Sequence, residues 1–331
     1  MFTKLVGCDI MNSTPDKRGC SKMKKIDFHV HITNDDTSVS KSIENFSALC
    51  ERQGLSGLCV LAAEHSSSGL HPNCNEKALE ISRALVGSFA FAALLQGRDF
   101  VEQTKEYMDM GFRGIKLLQG KPSEYRYFGY GYEHPRYDAF FAYAEKNAIP
   151  LIIHNNDPAR NWDITKGSET SIAKGWYYDE TMPSNEWFFK VMENVLEKYP
   201  NLCAAPAHMG FYSDNIDRAT ALMEKCPNLM MDMTPAPIIY EQLSETPDKT
   251  REFIYKYQDR LFYGTDVANN IEGKVRAFND QKVALMKAFY EGDGEYFDGK
   301  YRVLGMTLPE TILEKIYYKN AMKFIGENAD I

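Results

Sequence analysis

The sequence predicts an α/β protein with a single closed parallel (β/α)8 barrel, or TIM barrel, and two observations carry this prediction. Short apolar segments alternate with amphipathic helical segments along the 331 residues, which is typical of a parallel sheet covered on both faces. The spacing is also regular, since His31 to His154 spans 123 residues for four βα units and His208 to Asp266 spans 58 for two. An open dinucleotide-binding sheet is less favoured because its glycine fingerprint is absent.

The predicted strands are apolar runs that are too short for helices. They cover residues 26–31, 58–62, 89–95, 112–118, 149–154, 202–207, 229–232 and 261–266. The intervening segments show the three-to-four-residue apolar period of helices. Helices are predicted at residues 39–50, 75–86, 101–110, 137–147, 188–199 and 216–223, in the segment leading to residue 258, and through the rest of the chain after the eighth strand. Ser184 and Thr307 are predicted to cap helices at their N-termini, and Gly54 and Gly111 to end them.

No linker or change in composition divides the chain. We expect residues 1–24 to form a poorly ordered leader and residues 25–331 to form the barrel. Two segments without clear periodicity, 119–136 and 155–183, are predicted to be long loops that cover one end of it.

The composition limits the classes of partner. A net charge of −8 disfavours nucleic acids, and no apolar run reaches the roughly 18 residues of a membrane span. The seven cysteines are scattered and include no CxxC pair, which indicates free thiols in a reducing compartment. We therefore expect a cytoplasmic protein that acts on a small molecule, with a homodimer as the common oligomeric state.

Side chains that bind metals recur where the predicted strands end. His29 and His31 are two apart on the first strand and share a face. His154, His208 and Asp266 end the fifth, sixth and eighth strands. The carboxyl ends of the strands carry the chemistry in such barrels, so these side chains should meet. Nitrogen and carboxylate ligands suit Zn²⁺, with Mn²⁺, Fe²⁺ or Ni²⁺ as alternatives.

These motifs, taken in order, resemble the amidohydrolase superfamily, in the branch that includes aminocarboxymuconate semialdehyde decarboxylase. The resemblance runs from about residue 25 to 326. The matching stretches are DFHVH at 27–31, GFRGIKL at 111–117, PLIIH at 150–154, AHMG at 207–210, LFYGTD at 261–266, and ILEKI at 312–316 with Asn320-Ala321. It implies a metal-dependent enzyme on a TIM barrel.

The resemblance also implies roles for individual residues. His29, His31, His154 and Asp266 would bind one divalent metal ion, and His208 would hydrogen-bond the attacking water or the substrate. Such an ion acidifies its water and polarises a substrate oxygen. Asp266 would then accept the water's proton and pass it to the leaving group, while His208 stabilises the developing oxyanion.

The role of Lys116 stays open at this point. It could bridge a second metal after carboxylation, bind an anionic substrate or form a structural ion pair. We favour one metal, with Lys116, Arg160 and Trp162 binding the substrate; Arg126 and Trp176 are further candidates. In the loop after the second strand, Glu64, His65 and His71 are interpreted as polar loop residues rather than ligands.

The leading functional hypothesis is a hydrolase that cleaves a C–O or C–N bond of a small anionic substrate with a metal-activated water. The alternative is a decarboxylase or hydratase that acts on an unsaturated or aromatic carboxylate at the same site. A metal-dependent phosphoesterase or nuclease is less favoured, because the fourth strand carries Lys116 where a glutamate is expected. A non-catalytic barrel is disfavoured because every position of the constellation is filled.

Overall fold

The computed structural model describes residues 23–32, 37–62 and 74–327. Most of the predicted leader lies outside these ranges, as do Glu64, His65 and His71, so those predictions are not addressed by the structure. The five cysteines in the described ranges are free thiols. None of the helices in these ranges combines the length and apolar composition that crossing a membrane requires.

The strands form the predicted parallel barrel. They are β1 (Ile26–His31), β2 (Gly57–Leu61), β3 (Phe89–Ala93), β4 (Ile115–Leu117), β5 (Leu151–Ile153), β6 (Ala204–Pro206), β7 (Met231–Asp232), β8 (Leu261–Phe262) and β9 (Val267–Ala268). One sheet has the order β6-β5-β4-β3-β2-β1-β9, and β7 pairs with β8. Two further backbone hydrogen bonds close the ring: Met230 N–H to Ala204 O (2.8 Å) joins β6 to β7, and Phe28 N–H to Tyr263 O (3.0 Å) joins β8 to β1.

The helices lie between the strands in sequence. They are α1 (Val39–Gln53), α2 (Cys74–Ala84), α3 (Phe100–Met110), α4 (Pro122–Phe128), α5 (Arg136–Lys146), α6 (Glu169–Ala173), α7 (Asn185–Lys198), α8 (Ile216–Lys225), α9 (Ile238–Glu245), α10 (Pro247–Tyr257), α11 (Gly273–Glu291), α12 (Glu310–Glu314) and α13 (Asn320–Phe324). Helix α4 lies inside the segment 119–136 that was predicted to be a loop, where Pro122 occupies a first-turn position that favours a helix start.

The predicted helix ends are confirmed at three of four positions. The Ser184 hydroxyl accepts the Trp187 N–H at the start of α7, and Gly54 and Gly111 adopt left-handed conformations after α1 and α3. The prediction for Thr307 is wrong. Its hydroxyl donates to Gly292 O (2.9 Å), and Pro309 is the residue that precedes α12.

A hairpin interrupts the C-terminal region that was predicted to be entirely helical. Strands β10 (Glu295–Phe297) and β11 (Arg302–Leu304) pair antiparallel. The carboxylate of Asp298 accepts the N–H groups of Lys300 and Tyr301, and Gly299 between them has a φ of 95°. Asp-Gly is a strong turn signal, and it outweighs the helical pattern here.

A change of register in β1 aims the first histidine into the barrel. The pairing of β1 with β2 shifts between Asp27 and Val30. Phe28 packs against Phe262 at a centroid distance of 4.6 Å, while His29 directly follows it and faces the mouth residues described below. An irregularity of this kind re-aims side chains, and it is common near active sites.

Candidate metal centre and active site

Three side chains from opposite ends of the chain meet at the mouth of the barrel. The Nε2 atoms of His29 and His31 are 3.0 Å apart, and Asp266 Oδ1 lies 3.4 Å from His31 Nε2 and 3.9 Å from His29 Nε2. One ligand atom from each side chain lies within 4.8 Å of the others. The structure therefore brings together three of the four predicted ligands.

The spacing of these atoms fits a divalent metal. Ligand atoms about 2.0–2.2 Å from one ion are roughly 3.0–3.5 Å apart at tetrahedral or octahedral angles, and two of the three measured separations fall in this range. The backbone of Asp266 helps to hold the ligands in place. Its N–H donates to His29 O (2.9 Å), which ties the segment after β8 to β1.

The orientation of His29 is set by a carboxylate that the sequence argument did not include. Asp232, at the end of β7, lies 2.5 Å from His29 Nδ1 through its Oδ2, and both side chains are fully buried. A carboxylate can only accept from this nitrogen, so Nδ1 carries the proton and Nε2 presents its lone pair. This is the arrangement that orients histidine ligands in metal sites. Burial, followed by the charge of Lys116, lowers the pKa of His29 well below its usual value and keeps the ring neutral.

His154 lies near the cluster but is not one of its three members. Its ring centroid is 5.2 Å from that of His208. The buried Nε2 atom has no hydrogen-bond partner among the described residues, although Asp157 Oδ1 is 3.5 Å away. Burial lowers the pKa of His154 to about 3. A neutral histidine with an unpaired buried nitrogen suits a metal ligand or a substrate contact.

The ring of His208 lies near the rings of His29 and His154, at centroid distances of 5.5 Å and 5.2 Å. Its Nδ1 is 3.2 Å from Thr234 O. Because a carbonyl only accepts, Nδ1 carries the proton and Nε2 of the neutral ring is an acceptor. Burial lowers the pKa of His208, which favours the neutral ring. Hydrogen bonding to a water or a substrate hydroxyl fits this geometry better than the predicted oxyanion contact, which needs a donor.

The backbone at both proton-handling candidates departs from a strand. His208 opens four consecutive residues with positive φ, from 54° to 61°, and Asp266 has a φ of 54°. The left-handed conformation costs an L-residue about 1–2 kcal/mol. Neither residue can therefore belong to a strand, and such strain is often found at functional sites.

Asp266 is held by a lysine from α11. Lys282 Nζ donates to Thr265 O (2.9 Å) and to Asp266 O (3.1 Å), and Lys282 is buried. Burial alone would raise the pKa of Asp266, but the electrostatic interactions of its carboxylate with His208 and Lys282 outweigh burial and hold this pKa well below its usual range. The carboxylate is therefore ionised, and its side chain keeps 34% of its surface exposed at the mouth.

Lys116 on β4 lies at the same site. Its Nζ is 3.3 Å from His29 Nε2, and burial lowers its pKa to about 8. Within the described ranges no carboxylate forms an ion pair with it, so the structure gives no support for a structural ion pair. Contact with an anionic substrate and carboxylation both remain compatible with this position.

A second buried carboxylate, that of Asp27, holds β1 and the segment after β8 together. Asp27 accepts from Thr265 Oγ1 (2.5 Å), Thr265 N (2.9 Å) and His29 N (3.2 Å), and burial raises its pKa to about 6. It fixes the backbone of both strands that carry ligands. Asp27 belongs to the first sequence motif and Asp232 ends the seventh predicted strand, but neither position alone indicates a role. Lys282 belongs to no motif.

The predicted substrate residues in the 155–183 segment are placed differently from one another. Trp162 donates its indole N–H to Pro183 O (2.9 Å) and packs on Tyr178, which holds the loop together. Arg160 makes no hydrogen bond or ion pair through its guanidinium within the described ranges, and its Nε is buried. Arg126 donates to Gly175 O (2.9 Å) and to Tyr177 O, which joins the two long segments.

A parallel barrel with a His-His-Asp cluster at its mouth defines the class of metal-dependent TIM-barrel enzymes. A family model described as amidohydrolase matches residues 26–326, and this chain belongs to the amidohydrolase family. The predicted resemblance is confirmed. This family uses a divalent metal. A search among curated proteins finds no match.

Solved structures share the fold at low sequence identity. A probable 2-pyrone-4,6-dicarboxylic acid hydrolase from Acinetobacter baumannii is 10% identical, with a TM-score of 0.58 over 92% of this chain and 100% of that one. A dihydroxybenzoic acid decarboxylase from Polaromonas sp. JS666, with bound manganese and 2-nitroresorcinol, is 13% identical, with a TM-score of 0.55 over 92% and 97%. A TIM-barrel protein from Bordetella bronchiseptica is 13% identical, with a TM-score of 0.55 over 92% and 98%. At these identities the likeness establishes the fold alone.

Proposed function

We propose that this protein is a hydrolase that binds one divalent metal ion, with zinc favoured, and cleaves a C–O or C–N bond of a small anionic molecule. The proposal rests mainly on the cluster of His29, His31 and Asp266 at the barrel mouth. Asp232 orients His29 in this cluster. His154 would complete the ligand set. When bound, the ion would supply Lewis acidity and an activated water.

The chain's own groups then divide the proton handling. Asp266 is ionised and partly exposed at the mouth, so its carboxylate would accept a proton from the attacking water and return it to the leaving group. His208 Nε2 would accept a hydrogen bond from that water and orient it. Since Nδ1 of His208 is committed to Thr234 O, the ring is held in the tautomer that this role needs.

The substrate is expected to be an anion because Lys116, which is buried beside His29, forms no ion pair within the described ranges, and an unpaired buried charge is costly unless a ligand completes it. Arg160, on the segment after β5, is half-buried and forms no ion pair in these ranges either. We assign both to substrate binding; Trp162 stays a prediction that its loop contacts do not favour.

A decarboxylase or hydratase acting on a carboxylate is the second candidate. The same cations would hold the carboxylate, and the structures that share this fold include both a probable hydrolase and decarboxylases. Metal-loaded protein should be assayed against lactones, amides and aromatic acids, with acid release and carbon dioxide release measured in parallel. Acid release that is lost in Asp266→Asn supports the hydrolase; carbon dioxide release supports the lyase and contradicts our first choice.

A further inference from the structure

The carboxylate of Asp157 joins three buried side chains beside the barrel mouth. Its Oδ1 lies 3.5 Å from His154 Nε2 and 3.6 Å from Lys121 Nζ, and its Oδ2 accepts from the Tyr178 hydroxyl at 2.5 Å. The side chains of Lys121, His154 and Asp157 are only 9%, 7% and 5% exposed. Replacing a buried ion pair with apolar side chains often costs no stability, so this pair calls for an explanation other than stability.

Asp157 is a fixed negative charge. Burial alone would raise the pKa of its carboxyl, but the charge of Lys121 and the interaction with His154 outweigh burial and lower this pKa. The backbone is anchored as well, because Asn185 Nδ2 donates to Asp157 O (3.0 Å) and the Asp157 N–H donates to Asn156 Oδ1 (2.9 Å). The carboxylate therefore faces the imidazole of His154 from a set position.

This charge determines which nitrogen of the neutral His154 ring carries the proton. A lone pair on Nε2 would be repelled by the carboxylate, whereas an N–H at that position is attracted to it. We propose that Asp157 is a positioning residue for His154, which it holds with the proton on Nε2 and the lone pair on Nδ1. The contact of 3.5 Å is longer than an ordinary hydrogen bond, so the ring is oriented mainly by charge.

The inference rests on the proposed function, in which His154 completes the ligand set, and it adds the residue that positions this ligand. It also gives the site a specific pattern. His29 has its proton on Nδ1, facing Asp232, and His154 has its proton on Nε2, facing Asp157. Two buried carboxylates thus hold two histidines of one site in opposite tautomers.

Both long segments at the mouth contribute to the position of Asp157. Tyr178 belongs to the segment 155–183, and Lys121 directly precedes α4 in the segment 119–136. The ring of Trp176 covers Lys121, whose Nζ lies 3.8 Å from the ring centre. The side chain of His154 is therefore held through Asp157 by residues that do not contact the metal cluster.

The first test is a double-mutant cycle on metal affinity, measured by competition with a chelator of known affinity. Asp157→Asn keeps the size of the side chain and removes its charge. We expect metal binding to weaken about tenfold, as it does when a partner that orients a histidine ligand is lost. We expect no further loss when Asp157→Asn is added to His154→Gln, because Asp157 acts through His154. An equal loss in both backgrounds assigns Asp157 a structural role and overturns the proposal, as does an unchanged affinity in Asp157→Asn.

The second test needs no metal. Long-range proton–nitrogen NMR spectra of the metal-free full chain, labelled with ¹⁵N at histidine, show which ring nitrogen carries the proton, and His154→Gln identifies the signals of His154. We expect the proton on Nε2 in the wild type. In Asp157→Asn it should distribute over both nitrogens, because an amide can present either its oxygen or its N–H to the ring. A proton on Nδ1 in the wild type, or the same distribution in Asp157→Asn, contradicts the proposal.

Matched variants separate positioning from charge and from folding. Asp179→Asn removes an exposed carboxylate from the same segment and should change neither metal affinity nor tautomer. Tyr178→Phe removes one donor to Asp157 and should give a metal affinity between those of the wild type and Asp157→Asn. If Asp157→Asn does not fold because Lys121 is left unpaired, Asp157→Leu combined with Lys121→Met removes both charges together, and it should show the same loss of affinity and of tautomer preference.

The two tests distinguish this inference from the proposed function. If the protein neither holds metal nor turns over any substrate, but the tautomer of His154 depends on Asp157, the hydrolase proposal fails and the positioning role stands. If the metal-loaded protein hydrolyses substrates while His154 carries its proton on Nδ1, the positioning role fails and the hydrolase proposal stands.

Discussion

His29 Nδ1 and Asp232 Oδ2 lie 2.5 Å apart at the centre of the barrel mouth, although 203 residues separate them in sequence. Asp232 is itself fixed, since Thr234 donates to its Oδ1 through its backbone N–H (3.0 Å) and through its hydroxyl. The tautomer and the ring orientation of His29 therefore depend on the position of β7, which lies between β6 and β8 and carries Asp232. A metal site that uses His29 depends on this carboxylate.

Substituting Asp232 with Ala should weaken metal binding by about 10–100-fold, the usual effect of removing a partner that orients a histidine ligand. Competition against a chelator of known affinity measures this directly. Asp232→Asn should lose less, because an amide oxygen can still accept from Nδ1. The exposed Asp248→Asn is a charge-matched control that should bind metal like the wild type; equal affinity in Asp232→Ala and the wild type would rule out the orienting role.

Lys282→Met should reduce kcat because the carbonyls of Thr265 and Asp266 lose their shared donor and Asp266 is no longer held in its left-handed conformation. We expect a loss of about tenfold, with metal affinity reduced as well and with partial recovery in Lys282→Arg. Lys287→Met removes an exposed positive charge from the same helix and should leave both quantities unchanged. Equal losses of kcat in Lys282→Met and Lys287→Met would assign the effect to the charge of α11, and an unchanged kcat in Lys282→Met would contradict the positioning role of Lys282.

Gly264→Ala should destabilise the mouth of the barrel. An added Cβ would lie 2.6 Å from Thr234 Oγ1 and 2.8 Å from His29 Cβ. The segment after β8 would therefore have to move away from β1 and from the segment after β7. Overpacking of this kind costs about 1–3 kcal/mol. Gly97→Ala, where a Cβ meets nothing within 4 Å, is the control. Chemical denaturation of both variants measures the difference; equal stabilities would show that the contact relaxes without cost.

The burial of His154 predicts a pH dependence of stability in metal-depleted protein. Because its pKa falls from 6.5 to about 3 on folding, the unfolded chain binds the proton more readily, and this stabilisation is present above pH 6.5 and lost as the pH falls toward 3. The slope is at most about 1.4 kcal/mol per pH unit for one group. Asp27, whose pKa rises to about 6, works in the opposite direction, so the wild type must be compared with a variant.

The comparison is the unfolding free energy of the wild type minus that of His154→Asn, between pH 4 and pH 7. This difference should increase with pH, because only the wild type carries the buried histidine, while the contribution of Asp27 cancels. A difference that stays flat over this range would show that His154 is solvated and free to titrate in the folded protein.

Much of the fold was predictable because its signal is local. The barrel follows from apolar strands at regular spacing, and the ligands lie where those strands were predicted to end. The residues whose roles were not predicted, Asp232 and Lys282, act through contacts between distant parts of the chain. Asp232 was visible at the end of the seventh predicted strand, but its role depends on a contact across 203 residues. Lys282 belongs to no motif and reaches Asp266 only through the packing of α11.

The sixth and eighth strands end earlier in the structure than predicted, before the candidate active-site residues His208 and Asp266. His208 and Asp266 were predicted to end strands six and eight, yet both have positive φ values that no extended pattern signals. Hydrophobic periodicity reports how side chains are buried, and it carries no information on a single residue held in a left-handed conformation by distant hydrogen bonds.

The central claim is that one divalent metal ion lies between His29, His31 and Asp266. A crystal of the metal-loaded protein, with anomalous data collected at the metal's absorption edge, tests it most directly. The account predicts one anomalous peak within bonding distance of His29 Nε2, His31 Nε2 and an oxygen of Asp266, and no peak in His29→Ala. Absence of a peak at this position, or two peaks bridged by extra density on Lys116, would contradict it.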